Sequence, residues 1–173
     1  MGTVQATVKG NPAPKGSAAS KRAGARKQPA GGRAGDAPSA AELRDLLDQA
    51  LSDLDADPRT GSLLRATGLR IRFRITDLGL VLNVAPSEEG AHHLRWTFSN
   101  RTRWEPKLEL VMDSETANAY LQGKESLAIA IAQGRVRCKG ETRWALLYVP
   151  SLRVLVDPYR RLVRRRYPEL ALG

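Results

Sequence analysis

From Leu69 to Ile75 the chain reads Leu-Arg-Ile-Arg-Phe-Arg-Ile, with apolar and cationic side chains in strict alternation. A period of two belongs to an extended strand, whose successive side chains point to opposite faces. This segment is therefore half-buried, with one greasy side and one charged side. The same period returns in Leu80, Leu82 and Val84, in Leu94, Trp96 and Phe98, and in Leu108, Leu110 and Met112. Thr76-Asp-Leu makes a tight turn after the first run, and Pro86 to Gly90 forms a loop before the third. Four such strands joined by polar turns predict an antiparallel meander with one buried and one wet face.

Helical spacing brackets the strands. Ser39-Ala-Ala-Glu42 is a capping box, and Leu43, Leu46, Leu47, Ala50, Leu51 and Leu54 follow on one stripe, which predicts a helix from about Ala40 to Ala56, stopped by Asp55-Ala-Asp-Pro58. After the fourth strand, Asp113-Ser-Glu-Thr opens a short helix carrying Ala117, Tyr120 and Leu121 and ending at Gly123. A second short helix, Glu125 to Gln133, is apolar on most sides and closes on Gly134. Arg135-Val-Arg-Cys-Lys139 predicts a fifth strand with Val136 and Cys138 inward. A helix bearing Trp144, Leu147 and Tyr148 follows, then an apolar stretch to Val156. Asp157-Pro158 then caps a basic helix over 158–167.

Of 28 basic side chains against 18 acidic ones, seven (Lys9, Lys15, Lys21, Arg22, Arg26, Lys27 and Arg33) fall within residues 1–38, which hold a single acid, Asp36. That stretch is rich in Ala, Gly and Pro, with Val4 and Val8 as its large apolar residues beyond Met1. It is expected to be a disordered, solubilising basic tail ahead of one domain over 39–173. The apolar run Leu127 to Ala132 is far short of the ~20 residues needed to cross a bilayer. No secretory h-region opens the chain, and Ala6 occupies the position where a myristoylation signal has Ser or Thr, so a cytoplasmic location is expected. One cysteine excludes an internal disulfide and a multi-cysteine metal site. His92 and His93 are adjacent in a polar loop, poor geometry for a shared metal, and no metal or cofactor is expected.

Residues 108–148 carry a further pattern. Leu108-Glu-Leu-Val-Met-Asp-Ser-Glu-Thr is followed by Tyr120-Leu-Gln-Gly-Lys and then by Ala132-Gln-Gly-Arg-Val-Arg-Cys-Lys-Gly-Glu141. This resembles the sterol carrier protein 2 (SCP2) family, whose motif is a strand ending in an acidic helix cap, a helix closing on Gly-Lys, and a strand written Gly-Lys-Leu-Lys-apolar-Lys-Gly-Asp. Gly134, Arg135, Val136, Arg137, Cys138, Lys139, Gly140 and Glu141 occupy the last run, with Arg twice for Lys and Glu for Asp. The resemblance covers roughly 69–156. It implies an α+β fold: a five-stranded, mainly antiparallel sheet with helices packed on one face, enclosing an apolar tunnel. It also implies non-catalytic binding and intermembrane transfer of sterols, fatty acyl groups or phospholipids. The chain departs from the family in lacking a terminal Ser-Lys-Leu peroxisomal signal and in adding the basic C-terminal helix.

The expected tunnel lining combines the inward strand residues Phe73, Leu82, Trp96, Phe98, Leu110 and Met112 with Tyr120, Leu121, Leu127, Ile131, Trp144, Leu147 and Tyr148 of the helices. A filled core and a ligand cavity use the same side chains, so sequence leaves the two open. Arg70, Arg72 and Arg74 share one strand face, and Arg135, Arg137 and Lys139 another, with no basis in sequence for joining them. Arg160, Arg161, Arg164 and Arg165 fall on one side of the last helix opposite Leu162 and Val163, a candidate contact with anionic membrane or another anionic partner. Ser114 and Ser126 are placed as helix caps, Cys138 as a small buried hydrophobe, and the histidines as solvated. No nucleophile–base pair or phosphate loop stands out, so no catalysis is expected. The rival readings are a nucleic-acid-associated basic protein, disfavoured because the aromatic residues sit on inward faces, and a ligand-free accessory or dimerisation domain of the same fold.

Overall fold

The computed structural model describes residues 37–173; the expected tail over 1–38 falls almost entirely outside the described residues. Helix α1 spans Ala40–Ala56. Its capping box forms in both directions: Ser39 Oγ accepts from the Glu42 amide at 3.3 Å, and the Ser39 amide donates to Glu42 Oε2 at 2.8 Å. All six stripe residues, Leu43 to Leu54, are buried. A second helix, α2 (Pro58–Ala66), was not expected. Asp57 both ends α1 and caps α2, accepting from the Arg59 amide and the Thr60 hydroxyl, while Pro58 takes the first helical position, where its missing N–H costs nothing.

Strands β1 (Ile71–Ile75), β2 (Leu80–Pro86), β3 (Leu94–Phe98), β4 (Leu108–Met112) and β5 (Arg137–Gly140) form one sheet in the order β3-β2-β1-β4-β5. The expected meander is corrected here. β4 lies parallel to β1 and not beside β3, so the 99–107 segment crosses the sheet. Alternation fixes which face each residue takes, and that part of the expectation stands; it carries no information about which strand is the neighbour. In register, Phe98, Leu82, Phe73, Leu110 and Cys138 form one row across the sheet, and Thr97, Asn83, Arg72, Glu109 and Lys139 form the adjacent row on the other face.

The helices α3 (Ser114–Leu121), α4 (Leu127–Ala132), α5 (Thr142–Ser151) and α6 (Val156–Arg166) complete the layer. Asp113 caps α3 as expected, its carboxylate accepting from the Thr116 amide at 2.8 Å. α4 is shorter than Glu125–Gln133 and buries only Leu127 and Ala130. α5 runs through Pro150, a 3-10 turn follows at Leu152–Leu155, and α6 begins at Val156 rather than behind an Asp157 cap. Tyr159, Leu162 and Val163 of α6 are buried, and α6 packs against α1.

Candidate functional site

The apolar side of the sheet and the helices close on each other. Two small enclosed spaces remain, of about 10 and 20 Å³, each holding about one water-sized probe at most. Their walls are wholly apolar. Leu51, Leu54, Ile71 and Val84 belong to the first; Leu47, Met112, Tyr120 and Leu121 belong to the second. Phe73 and Leu155 border both and stand between them. The result is a slot between α1 and the sheet, partitioned by one aromatic and one aliphatic side chain.

Of the expected lining residues, Phe73, Met112, Tyr120 and Leu121 meet at this slot. Leu82, Leu110 and Leu127 are buried in the same core without touching either space. Trp96 and Phe98 are half-buried and held at the edge of α1: Trp96 Nε1 donates to Asp48 Oδ1 at 2.8 Å, and the Arg44 guanidinium sits 4.8 Å over the Phe98 ring. Ile131 and Trp144 are half-buried as well. Tyr148 is buried, stacks on Trp144 at 5.4 Å, and donates to the Gly68 carbonyl at 2.9 Å, tying α5 to the entry of β1. Leu147, expected inward, is 45% exposed. The contribution of α1 and of Leu155 was missed; the α1 stripe was legible, but a stripe does not say which space it faces.

Tyr120 links the slot to the outside. It is 95% buried by exposure, and its hydroxyl has no hydrogen-bond partner. Burial pushes its pKa up to about 12, with the Arg153 charge acting in the opposite direction. The same residue borders an open groove of about 760 Å³ between α4 and the α5–α6 region, whose rim includes Lys124, Ile129, Val149, Pro150, Arg153 and Arg160. Ile129 is 53% exposed, and Leu146, one turn before Val149 and Pro150 on α5, is 74% exposed. Arg160 pairs with Asp157 at 2.9 Å, while Arg161, Arg164 and Arg165 face solvent. Because Leu162 and Val163 are already packed in the core, α6 offers its surroundings charge and no apolar face.

The opposite side of the sheet is cationic and joined. Strand β4 lies between β1 and β5, so Glu109 reaches Arg72 (3.8 Å), Arg74 (3.4 Å) and Lys139 (3.3 Å). Burial raises its pKa, but the bonds from Lys139 and Arg74 outweigh this and hold the carboxyl below its ordinary range. Asn83, fully buried, accepts from Arg72 Nε at 2.7 Å and donates to the Ser99 carbonyl at 2.7 Å, fastening the start of the crossing segment. That segment carries Trp104, half-buried and outside the inward aromatic set, which corrects the expectation that every aromatic side chain faces the core.

His92 is not simply solvated. Its Nδ1 lies 2.7 Å from Asp55 Oδ2, and Asp55 Oδ1 accepts from the amides of His93 (2.7 Å) and Leu94 (2.8 Å). Burial raises the Asp55 pKa, and these bonds more than reverse it, leaving it lowered. Burial raises the Cys138 thiol, the opposite of activation. Among the described residues, no three His, Cys, Asp or Glu side chains form a metal-ligand group, and no helix is long and apolar enough to cross a membrane.

No family model and no curated protein sequence matches the chain. Similar solved structures include the UbiJ-SCP2 ubiquinone synthesis protein, 12% identical over 69% of this chain and 96% of that one, with a TM-score of 0.49. A conserved hypothetical protein of Thermus thermophilus, described as possibly a sterol carrier protein, is 16% identical over 74% of this chain and 94% of its own, also at 0.49. The inverting sec-alkylsulfatase Pisa1 of a Pseudomonas species is 14% identical over 58% of this chain at 0.45, and this chain spans only 14% of its length. These are distant likenesses of fold and carry no ligand with them.

Proposed function

We propose that this chain is a non-catalytic carrier of a single-chain amphipathic lipid. Its tail occupies the slot between α1 and the sheet, and its head group lies in the α4–α5 groove. The observation that carries the reading is Tyr120, a buried phenol without a partner that separates an all-apolar space from an open, cation-rimmed groove. A carboxylate or phosphate head at that point meets Arg153 and Lys124 and accepts a hydrogen bond from the Tyr120 hydroxyl. Tail binding then requires Phe73 and Leu155 to part, and each methylene buried contributes about 0.8 kcal/mol. Ten buried methylenes bring about 8 kcal/mol, a micromolar affinity without any specific tail contact.

Exchange with membranes fits the same rim. Ile129, Leu146 and Leu147 are exposed apolar side chains, and basic residues near a bilayer add about 1 kcal/mol each on anionic lipid at low salt. Arg161, Arg164 and Arg165 extend that charge.

The test is to purify the full chain without added lipid, extract it with organic solvent and identify what co-purifies, then titrate it with a fluorescent fatty acid. A stoichiometric lipid, or saturable binding displaced by oleate, supports the reading. An empty extract together with no binding overturns it in favour of a ligand-free core. Transfer to phosphatidylglycerol vesicles should slow as salt rises; a salt-independent rate removes the docking part.

A further inference from the structure

The outer face of the sheet holds a second concavity, independent of the lipid slot. The crossing segment over 100–106 stands beside the outer-face row of the sheet and encloses an open groove of about 730 Å³ with Arg72, Glu109, Lys139 and Gly140. On the floor, one carboxylate, Glu109, faces two cations, Arg72 and Lys139, and also pairs with Arg74 outside the groove, so the floor carries a net positive charge. Arg72 and Glu109 are each only 15% exposed, and Arg72 is fixed from the other side by Asn83. The floor is thus pre-ordered rather than a set of freely waving side chains, which lowers the entropic cost of engaging a ligand. Arg101 and Arg103 extend from the opposite wall, exposed and without an ion pair among the described residues. Trp104 lies between them and Glu105, half-buried and bordering the same groove.

We infer that this groove binds a small phosphorylated ligand of the nucleoside di- or triphosphate class, its phosphates on Arg101, Arg103, Arg72 and Lys139 and its ring against Trp104. Three features select that class. The surplus of cations over the two carboxylates calls for a ligand carrying several negative charges in a small volume. Guanidinium groups donate in a planar fork that matches phosphate oxygens. A half-buried indole offers a flat face on which a base stacks, and the Glu105 carboxylate beside it accepts from ring amino groups or ribose hydroxyls. The exposed apolar side chains that would contact a bilayer, Leu146, Leu147 and Ile129, belong to the helices and not to this groove.

The test is isothermal titration of the full chain with ADP, and separately with pyrophosphate and adenosine, at low salt, alongside the variant Arg101→Ala/Arg103→Ala/Lys139→Ala. Arg101 and Arg103 are exposed and unpaired among the described residues, and the exposed Lys139–Glu109 pair is worth at most about 1 kcal/mol, so the variant's melting temperature should fall by no more than about 4 °C. The expected result is saturable ADP binding that weakens at least 10-fold in the variant, and that exceeds pyrophosphate binding by 5-fold or more. Trp104→Phe should remove most of the ADP-induced change in tryptophan fluorescence while Trp96→Phe leaves it. Absence of ADP binding, or binding of equal strength in the triple variant, which would locate it on other basic segments, overturns the site. Equal affinity for ADP and pyrophosphate overturns the nucleoside part and reduces the groove to a phosphate site.

Discussion

Leu155→Ala is the sharpest probe of the slot. Leu155 is 4% exposed and borders both enclosed spaces, so its truncation joins them. Three carbons leave the core, about 0.8 kcal/mol each, or about 2.4 kcal/mol of lost transfer energy. If the joined void, on the order of 100 Å³, stayed rigid, it would add about 2.4 kcal/mol at ~24 cal/mol per Å³. Partial settling of the 3-10 turn that carries Leu155 reduces this, giving a net cost of about 3–4 kcal/mol, or roughly 6–16 °C in melting temperature for a chain of this size. Leu155→Met, which conserves volume, should cost under about 1.5 kcal/mol. The decisive comparison is thermal unfolding with and without oleate. A tail threaded through the slot fills the new void, so oleate should raise the melting temperature of Leu155→Ala by more than that of the parent. A loss below about 1 kcal/mol would show that Leu155 does not partition the slot. A cavity variant stabilised by oleate no more than the parent would refute the claim that the tail lies there.

Three further outcomes follow. Asp55→Ala should cost about 3 kcal/mol in urea unfolding, since a carboxylate holding His92 and two backbone amides is lost. The folded Asp55 pKa is lowered, so its contribution is present above the ordinary carboxylate range and disappears as pH falls through the lowered value; the variant's stability should therefore fall less than the parent's between pH 5 and acid, and an unchanged slope would count against the pin. Ile129→Glu combined with Leu146→Glu should lower co-sedimentation with phosphatidylglycerol vesicles at least 10-fold and leave stability within about 0.5 kcal/mol, and undiminished sedimentation would move the docking surface elsewhere. Gln122→Leu should cost about 2–3 kcal/mol, because buried Gln122 donates to the Leu170 carbonyl at 2.7 Å and accepts from the Leu172 amide at 3.0 Å; calorimetry showing less than 0.5 kcal/mol would mean these bonds do not fasten the C-terminus.

Local chemistry made the elements legible. The capping box of Ser39 and Glu42, the Asp113 cap and the period-two runs each specify their own few residues, and each formed. What was not legible depends on contacts between distant segments. Whether β4 joins β3 or β1 is decided by the path of the 99–107 segment and by Asn83 fastening its start, a bond across 16 positions that no pattern announces. That same choice unites the cations of β1 and β5 through Glu109, and so creates the groove. α2 was hidden for a different reason. Asp57-Pro58 is a stop for the preceding helix and a start for the next, and Gly61 within it weakens the helical pattern; yet the glycine is needed, since a Cβ there would stand 2.6 Å from the His93 ring and 2.9 Å from the Leu54 carbonyl. Inward strand residues are fixed by alternation, while the helix that covers them is not.

If the proposed lipid site exists, the wall that opens for it is set by where the backbone is least reinforced. α1 carries six buried residues and a complete cap, and the sheet is a continuous ladder, so neither yields cheaply. The stretch from Val149 to Val156 is different. Pro150 sits inside the last turn of α5 and brings no N–H. After Ser151, Leu152–Leu155 form a 3-10 turn, with poorer hydrogen-bond geometry, and α6 starts from Leu155 with no side-chain cap. This stretch bears Val149, Pro150 and Arg153 on the rim of the groove that Tyr120 also borders, and Leu155 between the two enclosed spaces. The entry rim, the head-group cation and the barrier to the tail thus move together when it lifts. On the proposed carrier reading, admission of a lipid and local unfolding of this stretch are one event, which predicts that a bound lipid slows hydrogen exchange at its amides far more than at those of α1.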